Sequence, residues 1–338
     1  MESTQFKNYL KKKYKSNKIF FDDYMHEALY SKFGFFNNEI VRSQKGGDFL
    51  TSPEVSEFFG KILNKWIKKN NLDLNITEFG SGTGSLIEQI DTENKFAVEI
   101  SSTARKELSK KNIKNFANLN DLSFKNSDLV FGNEVLDNIP CSVAVYKDNK
   151  WHEKIVSLDD VGLSYDFVEA RKETLDWIEG NQLKGDENID VEIQTNIDIF
   201  LENIIYKLSP KNFLFFDYGF EQKDRGKRKY RSLIRTYKDH HLSVDPILEP
   251  GYVDITYDIN FSSVIRKLEN MGYESSLLLQ RDFLINNGFD DYFDSLQNKL
   301  LQSEGMENLK INSQLSGLKA LIDSNGLGGF YCLEAKKI

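Results

Sequence analysis

The chain has few cysteines and histidines, and those present are poorly placed to act together. Cys141 and Cys332 are the two cysteines among 338 residues, and neither belongs to a C-x-x-C pair. Zinc sites and disulfide frameworks are therefore not expected. Of the four histidines, His240 and His241 have no set of metal ligands near them in the sequence. We predict no metal site, a reducing environment and a cytoplasmic location.

The sequence also lacks a long apolar run and an excess of basic residues. No segment reaches the ~20 apolar residues of a membrane span, and the first residues have no apolar core of a secretory signal. The 44 basic and 52 acidic residues are mixed and give a net charge of −8. Because phosphate binding needs a concentrated basic surface, we expect no nucleic-acid binding and no membrane insertion. An acidic protein of this kind would suit a basic substrate.

What the sequence does contain is material for a large core. Hydrophobic residues make up 40% of the chain and aromatic residues 13%, including 25 phenylalanines. A chain of this length can form one elaborated domain or two. We therefore expect a folded globular protein.

Three alternate glycines mark a ligand-binding loop early in the chain. Ile76–Phe79 has the composition of a short buried strand, and Gly80, Gly82 and Gly84 follow it. The spacing of the apolar residues that come next, at 86, 87 and 90, favours a helix. Because glycine tolerates unusual dihedrals and has no Cβ, a ligand can approach the backbone closely. Strand, glycine turn and helix predict a nucleotide site.

Two acids decide between the nucleotide classes. A dinucleotide fingerprint would want a glycine at position 85, where the chain has Ser85. Glu78 stands two residues before the first glycine, and Glu99 follows a second predicted strand, where it can accept both hydroxyls of a ribose. These acids and the glycine loop resemble the S-adenosylmethionine site of class I methyltransferases. A nicotinamide-dependent oxidoreductase remains a less favoured alternative.

Six stretches of the chain resemble the MidA-like methyltransferases, the group that includes the mitochondrial arginine methyltransferase assisting complex I assembly. They occur in the family's order and span most of the chain. The stretches are Gly47–Gly60, the glycine loop, Val98–Ser101, Gly132–Asp137, Phe216–Gly219 and Glu249–Thr256.

The resemblance implies S-adenosylmethionine as the cofactor. Residues 113–116 read as a third strand, and Asn118 and Leu119 follow it, where class I methyltransferases contact adenine, although an ordinary polar loop is an alternative. Thr51 and Pro53 also suit the start of a helix, which is a purely structural role. The predicted cofactor-binding residues are Glu78, Gly80, Ser81, Gly82, Gly84, Glu99, Ile100, Asn118, Leu119, Asn133, Thr51 and Pro53.

The predicted reaction is methyl transfer to an arginine nitrogen of a protein, and arginine specificity comes from the resemblance alone. Residues 128–134 read as a fourth strand with Asn133 and Glu134 at its carboxyl end. Glu134 and Asp137 lie three residues apart and could share one side of a helical turn. A carboxylate there can hold a planar guanidinium by two hydrogen bonds. Asp48 is a third catalytic candidate, and Asp137 could instead cap the turn before Pro140.

The predicted fold is α/β and Rossmann-like, with seven mostly parallel strands and helices on both faces. Residues 1–70 form a helical extension that closes over the cofactor, and 71–338 form the methyltransferase domain. Substrate-side insertions are expected at about 141–192 and 220–258. Other predictions left open are a homodimer, a different substrate, and a non-catalytic assembly factor that binds the cofactor.

Overall fold

The computed structural model describes residues 3–37, 51–160, 162–227, 234–238, 241–242 and 245–338. The chain divides into two compact units that each draw on three separate parts of the sequence. The first consists of Met1–Ile40, Leu136–Asn203 and Phe220–Lys267, and the second of Val41–Val135, Ile204–Gly219 and Leu268–Ile338. The predicted boundary at residue 70 and the substrate-side role of the insertions remain predictions.

A seven-stranded sheet organises the second unit. Its strands are β1 (Ile76–Phe79), β2 (Lys95–Val98), β3 (Lys114–Phe116), β4 (Leu129–Asn133), β5 (Asn212–Asp217), β6 (Tyr273–Leu279) and β7 (Tyr331–Lys337). The spatial order is β6-β7-β5-β4-β1-β2-β3. Strands β1 to β5 pair in parallel, and β7 runs antiparallel to both β5 and β6. The α/β class and the seven strands are confirmed, and the sheet is mixed.

The central strands are short apolar runs because they are buried along their whole length. Every residue of β1, β4 and β5 is buried, as expected of parallel strands covered on both faces. Phe131 of β4 and Phe216 of β5 belong to one apolar core with Phe59 and Ile62. Those two residues come from the helix Phe58–Lys69.

The helices of the second unit include the one predicted to begin near Thr51 and Pro53, and one prediction is an exception. They are Ser52–Val55, Phe58–Lys69, Ser102–Lys110, Gln280–Asn286, Phe289–Leu300 and Gly305–Ala320. Ser101 caps the third of these, since its hydroxyl accepts from the Ala104 N–H at 3.3 Å. The exception follows the glycine loop, where the structure has a single 3₁₀ turn, Ile87–Gln89, and not the predicted α-helix. Leu86, Ile87 and Ile90 are buried there, so their spacing reports the core and not a helix.

The first unit is built from antiparallel sheets. Lys150–Leu158 is the central strand of a five-stranded sheet and pairs with Lys18–Phe20, Ser142–Lys147 and Leu163–Glu169. Asp190–Ile193 extends this sheet beside Ser142–Lys147. A second sheet contains Ile234–Lys238, His241–Leu242 and Asp254–Tyr257. Gly219–Phe220 and Ile259–Asn260 are two further short strands. The helices of this unit are Ser3–Tyr14, Phe21–Tyr30 and Lys172–Gly180. Two further helices, Thr195–Leu208 and Phe261–Asn270, run from the first unit into segments of the second.

Two predictions from the sequence are wrong in the first unit, and one is confirmed. Apolar and aromatic spacing predicts helix throughout residues 3–32, but the strand Lys18–Phe20 interrupts it. The middle residue of this strand is buried between an exposed and a half-buried one, and three residues are too few to show a period-two pattern. The sequence also predicts a helix over 169–179; this helix begins at Lys172, because Glu169 ends the strand before it. The hairpin that the sequence predicts around residues 147–150 is confirmed.

A partly buried ion network holds the N-terminal segment to the sheet of the first unit. The Arg171 guanidinium lies 3.8 Å from the centroid of the Phe20 ring and donates to Asp22 at 2.9 Å and to Glu153. Burial acts to raise the pKa of Glu153, but the hydrogen bonds from Arg171 hold it below its usual value.

Among the described helices, none combines the length and the apolar character needed to cross a bilayer.

Candidate functional site

Three of the residues predicted from the sequence, Gly80, Glu99 and Asn133, lie at one edge of the seven-stranded sheet. Strands β1 to β5 run parallel, so their carboxyl ends share that edge, where open α/β sheets bind ligands. Gly80 follows β1, Glu99 follows β2, and Asn133 ends β4. All three belong to the second unit. The topology therefore places residues from distant parts of the sequence together.

Glu78, in β1, is a buried acid with an unused oxygen. It is 3% exposed, and among the described residues its Oε2 has no hydrogen-bond partner. Burial raises the pKa of Glu78 to about 8, and the nearby Glu99 carboxyl adds to the rise. The side chain is therefore largely protonated at neutral pH in the absence of a ligand. A cation brought to Oε2 would favour the ionised form.

Glycine is required at the positions of this loop for different structural reasons. All have positive φ, of 64° at Gly80, 51° at Gly82 and 85° at Gly84, a region that glycine adopts without steric cost. A Cβ on Gly84 would lie 2.6 Å from Leu108 Cδ2, so this glycine serves packing. Gly82 instead uses its N–H, which donates to Glu99 Oε2 at 2.8 Å.

Glu99 is prepared to accept further hydrogen bonds. It is 6% exposed, and its Oε1 accepts from the Ser101 N–H at 2.7 Å. Burial raises the pKa of its carboxyl, although the N–H donors of Ser101 and Gly82 oppose the rise. Each carboxylate oxygen retains acceptor capacity, which matches the two hydroxyls of a ribose. The next residue, Ile100, is 41% exposed and offers apolar surface beside it.

Thr51 and Pro53 are linked to the turn after the glycine loop. The Gln89 side chain donates to the Pro53 carbonyl at 3.2 Å and to the Ser85 carbonyl at 2.7 Å. Glu54 accepts from the N–H of Thr51 at 3.0 Å and from its hydroxyl at 3.2 Å, as the capping expectation required. The predicted catalytic residue Asp48 lies outside the described residues.

Asn118 and Leu119 begin a 3₁₀ turn after β3. The Asp121 carboxylate accepts from the Asn118 N–H at 3.2 Å and closes the turn. Asn118 is exposed and Leu119 half-buried. The adenine contact predicted for the loop that contains Asn118 and Leu119 stays a prediction.

Ser81, in the glycine loop, is buried, and its hydroxyl donates to the Glu78 carbonyl at 3.2 Å.

The segment after β4 forms a strained turn in place of the expected helical turn. Glu134 has a φ of 52°, uncommon for a residue with a side chain. Its N–H donates to the Phe216 carbonyl at 2.8 Å, and its carboxylate accepts from the Asn133 amide at 2.9 Å. The expectation that Glu134 and Asp137 share a helical face is therefore wrong, because this strained residue turns the chain directly after the strand.

Asp137 lies in the first unit, within a short turn. It is 3% exposed, and the turn contains a hydrogen bond from the Ile139 N–H to the Leu136 carbonyl. The Tyr257 hydroxyl donates to the Ile139 carbonyl at 2.6 Å, and the Asn138 side chain donates to Asp254 at 2.9 Å. The Glu249–Thr256 stretch noted in the sequence thus supports this turn. The catalytic roles predicted for Glu134 and Asp137 stay predictions.

Two residues of this edge were missed by the sequence analysis. Val135 fills the space in which Gly80 and Gly132 lack a Cβ: a Cβ there would lie 2.8 Å and 2.7 Å from its methyl groups. Gln89 joins the loop to the Thr51–Pro53 segment. A glycine inside the apolar strand β4 was the available sign of Val135, whereas nothing local marks Gln89.

A groove of about 520 Å³ lies elsewhere in the second unit, between the helices Phe58–Lys69 and Phe289–Leu300. No residue predicted to bind the cofactor lines it. Two of its lysines are paired with acids, Lys65 with Asp291 and Lys68 with Asp91.

The residues of the edge fit S-adenosylmethionine. Its ribose matches the Glu99 carboxylate, and its positive charge matches the unused Oε2 of buried Glu78. In the described residues no group of three or more His, Cys, Asp or Glu side chains could hold a metal ion. The carboxylate oxygens of Glu78 and Glu99 suit a ligand that carries a positive charge and hydroxyl groups.

Comparisons with known proteins agree with this geometry. The chain is 24% identical over 322 residues to "Protein arginine methyltransferase NDUFAF7 homolog, mitochondrial" of Drosophila melanogaster, covering 77% of this chain and 70% of that protein. The corresponding Danio rerio protein is 24% identical over 317 residues, with coverage of 79% and 72%. These matches bear out the MidA-like resemblance.

A solved structure confirms the fold. It is that of a COG1565 superfamily member and likely methyl transferase from Burkholderia thailandensis bound to S-adenosyl-homocysteine, with a TM-score of 0.85 and 22% identity. It covers 99% of this chain and 92% of that one. A family profile described as "Putative S-adenosyl-L-methionine-dependent methyltransferase" matches residues 59–277, more than half of the chain. The chain therefore belongs to this family of methyltransferases, whose cofactor is S-adenosylmethionine.

Proposed function

We propose that this protein transfers the methyl group of S-adenosylmethionine to a nitrogen of an arginine side chain in a protein. The observation that carries the proposal is the set of acceptors at one sheet edge, Glu78, Glu99, Asn133 and Glu134, in a chain whose similar proteins from fly and fish are named protein arginine methyltransferases. The cofactor supplies a methyl group on a positively charged sulfur.

The protein's own residues would bind and orient the reactants. Glu78 is suited to the positive charge of the cofactor, and Glu99 to its ribose. A guanidinium is protonated at neutral pH and is a poor nucleophile, so its proton must leave during or after transfer. Glu134 directly follows β4 and is only half-buried, so it can accept that proton and pass it to water.

The test starts from cofactor binding and proceeds to transfer. Calorimetric titration should show binding of S-adenosylmethionine and no binding of NAD. The protein and methyl-labelled S-adenosylmethionine should then label proteins of a lysate from the source organism, with the label recovered as methylarginine after acid hydrolysis. Gly82→Val serves as the inactive control.

Any other outcome supports a different hypothesis about the function. Label recovered on lysine or in small molecules would contradict arginine specificity and retain methyl transfer. Binding without any transfer would favour a cofactor-binding assembly factor, and binding of NAD alone would overturn the proposal.

Three further predictions accompany this function. A protein substrate is proposed as the partner, without nucleic acid. A homodimer is also proposed, and light scattering of the purified protein would show a mass near twice the 39.1 kDa of one chain. A cytoplasmic location remains a prediction, and the fly and fish relatives carry the word mitochondrial in their names.

A further inference from the structure

The amide of Asn133 has one polar atom in use and one available. Its Nδ2 donates to Glu134 Oε1 at 2.9 Å, and among the described residues its Oδ1 has no hydrogen-bond partner. The residue is 9% exposed. An amide whose nitrogen donates in this way presents its oxygen as an acceptor. A buried acceptor left unsatisfied costs about 1–3 kcal/mol, so this oxygen is suited to a donor supplied by a ligand.

The strained turn beside Asn133 holds this orientation. Glu134 adopts its φ of 52° while its N–H donates to the Phe216 carbonyl at 2.8 Å. The Val135 side chain then occupies the space beside Gly80 and Gly132. A backbone strained in this way persists only where its surroundings determine it, and such residues concentrate at functional sites.

Asn133 is also placed apart from the two acids suited to the cofactor. Glu78 pairs with Phe131 in the sheet, and Asn133 lies two residues beyond Phe131. Side chains two residues apart in a strand project from the same face. The spatial order of the strands is β5-β4-β1-β2. Glu78 belongs to β1 and Glu99 follows β2, so both acids lie to one side of β4. Asn133 thus lies on the same face as Glu78, on the neighbouring strand and nearer the carboxyl edge.

We propose that Asn133 Oδ1 accepts a hydrogen bond from the methyl-accepting nitrogen of the substrate and orients it. This inference rests on the methyl transfer proposed above and moves Asn133 from the cofactor set to the substrate. The lone pair of the nitrogen forms the new bond to the methyl carbon as the carbon–sulfur bond breaks and its electron pair passes to sulfur. A proton then leaves the nitrogen for the Glu134 carboxylate and from there for water. Because the accepted N–H lies in a known direction, the lone pair is directed too.

The test compares two cofactor analogues and needs no identified substrate. In sinefungin a carbon bearing an amine replaces the sulfonium sulfur and its methyl, so its N–H groups lie where the methyl meets the nucleophile. S-adenosylhomocysteine has no donor there. Asn133→Ala is expected to weaken sinefungin binding about tenfold or more and to change S-adenosylhomocysteine binding by less than about threefold.

A second variant covers the case in which Asn133→Ala fails to fold. Asn133→Asp keeps an acceptor oxygen and removes the donor, so sinefungin binding should stay within about threefold of the wild type or become tighter. Glu99→Gln is the matched control and should weaken both analogues alike.

Every outcome is informative. Equal loss of both analogues in Asn133→Ala would show that Asn133 serves the cofactor, and no loss of either would show no ligand role; both overturn the inference. Loss of sinefungin binding in Asn133→Asp would also overturn it, because the donor would then be the essential group. If the wild-type protein binds neither analogue, the proposed function itself fails.

Discussion

Single side chains at the sheet edge carry the strongest physical demands. Glu78 is an acid that is only 3% exposed, and burial raises its pKa to about 8. Most acids at strand ends are solvated and ionised. A protein keeps a costly group of this kind where a ligand of opposite charge compensates for the burial.

Cofactor affinity should therefore depend on pH through Glu78. The free protein holds a proton on this residue below about pH 8, and the positive charge of S-adenosylmethionine favours its release. The affinity should rise by up to about tenfold per pH unit from pH 6 to pH 7.5. Calorimetry in buffers with different ionisation heats would measure the released proton.

The matched control is Glu78→Gln, which has nearly the same shape and does not titrate. Its affinity should be lower and nearly independent of pH over the same range. An equal slope in both proteins would assign the proton to another group and contradict the role of Glu78.

The glycines of the loop should separate binding from stability. Gly82→Val places a branched side chain beside the ligand, so we expect cofactor affinity to fall by at least about tenfold. Gly84→Ala brings a Cβ within 2.6 Å of Leu108 at a φ of 85°. It should lower the free energy of unfolding by roughly 1–3 kcal/mol. Titration and urea unfolding of each variant test the two effects.

Gly180→Ala provides the neutral comparison, since nothing lies within 4 Å of a Cβ at that position. Undiminished cofactor affinity in Gly82→Val would refute the assignment of this loop.

At the scale of elements, the site depends on how the end of β4 meets the loop after β1. The sequence predicted that an α-helix would begin after this loop, but the structure has a single 3₁₀ turn there, Ile87–Gln89. The loop is held instead by side chains, with Val135 against Gly80 and Gln89 bonded to Ser85 and Pro53. Packing, more than a helix dipole, therefore positions the cofactor edge.

Val135 and Gly80 should show energetic coupling. A Cβ on Gly80 would meet the Val135 side chain at 2.8 Å and 3.2 Å and no other atom at close range. Gly80→Ala alone should be destabilising through this contact and its positive φ, and Val135→Ala alone through lost packing. In the double variant the contact is relieved, so the two losses should fall short of additivity by about 1 kcal/mol.

A double-mutant cycle of unfolding free energies in urea measures this term. Strict additivity would mean that Val135 does not occupy the space beside Gly80 in solution.

At the scale of the whole molecule, the buried Glu78 makes stability depend on pH. The acid has an ordinary pKa of 4.5 and titrates near 8 in the folded protein. Between these values the unfolded chain is ionised while the folded protein keeps its proton, so stability falls as pH rises. Glu78→Gln should therefore be more stable than the wild type at pH 7.5, by on the order of 3 kcal/mol. Urea unfolding without cofactor measures the difference.

The advantage of Glu78→Gln should shrink as the pH falls toward 4.5, because the unfolded chain then takes up the proton that the folded protein already holds. An advantage that stays constant with pH would have another origin. A variant more stable and weaker in cofactor binding would show that this acid serves the ligand at a cost to the fold.

The sequence by itself determined the elements whose information is local. Local patterns predicted strands β1, β2, β4 and β5, namely the short apolar runs, the glycine spacing and the acids at 78 and 99. The ordered motifs predicted the family. Such patterns are visible because a buried parallel strand must be apolar throughout and its ligand residues must follow its end.

The tertiary structure alone decided the features set by contacts distant in the chain. The apolar spacing at Leu86, Ile87 and Ile90 fits a helix equally well, and only packing in the core selected a 3₁₀ turn. The left-handed Glu134 is stabilised by a carbonyl 82 residues away, that of Phe216. The oxygen of Asn133 can be called available only once its neighbours are known. Burial and hydrogen-bond partners belong to the assembled sheet, so no stretch of sequence contains them.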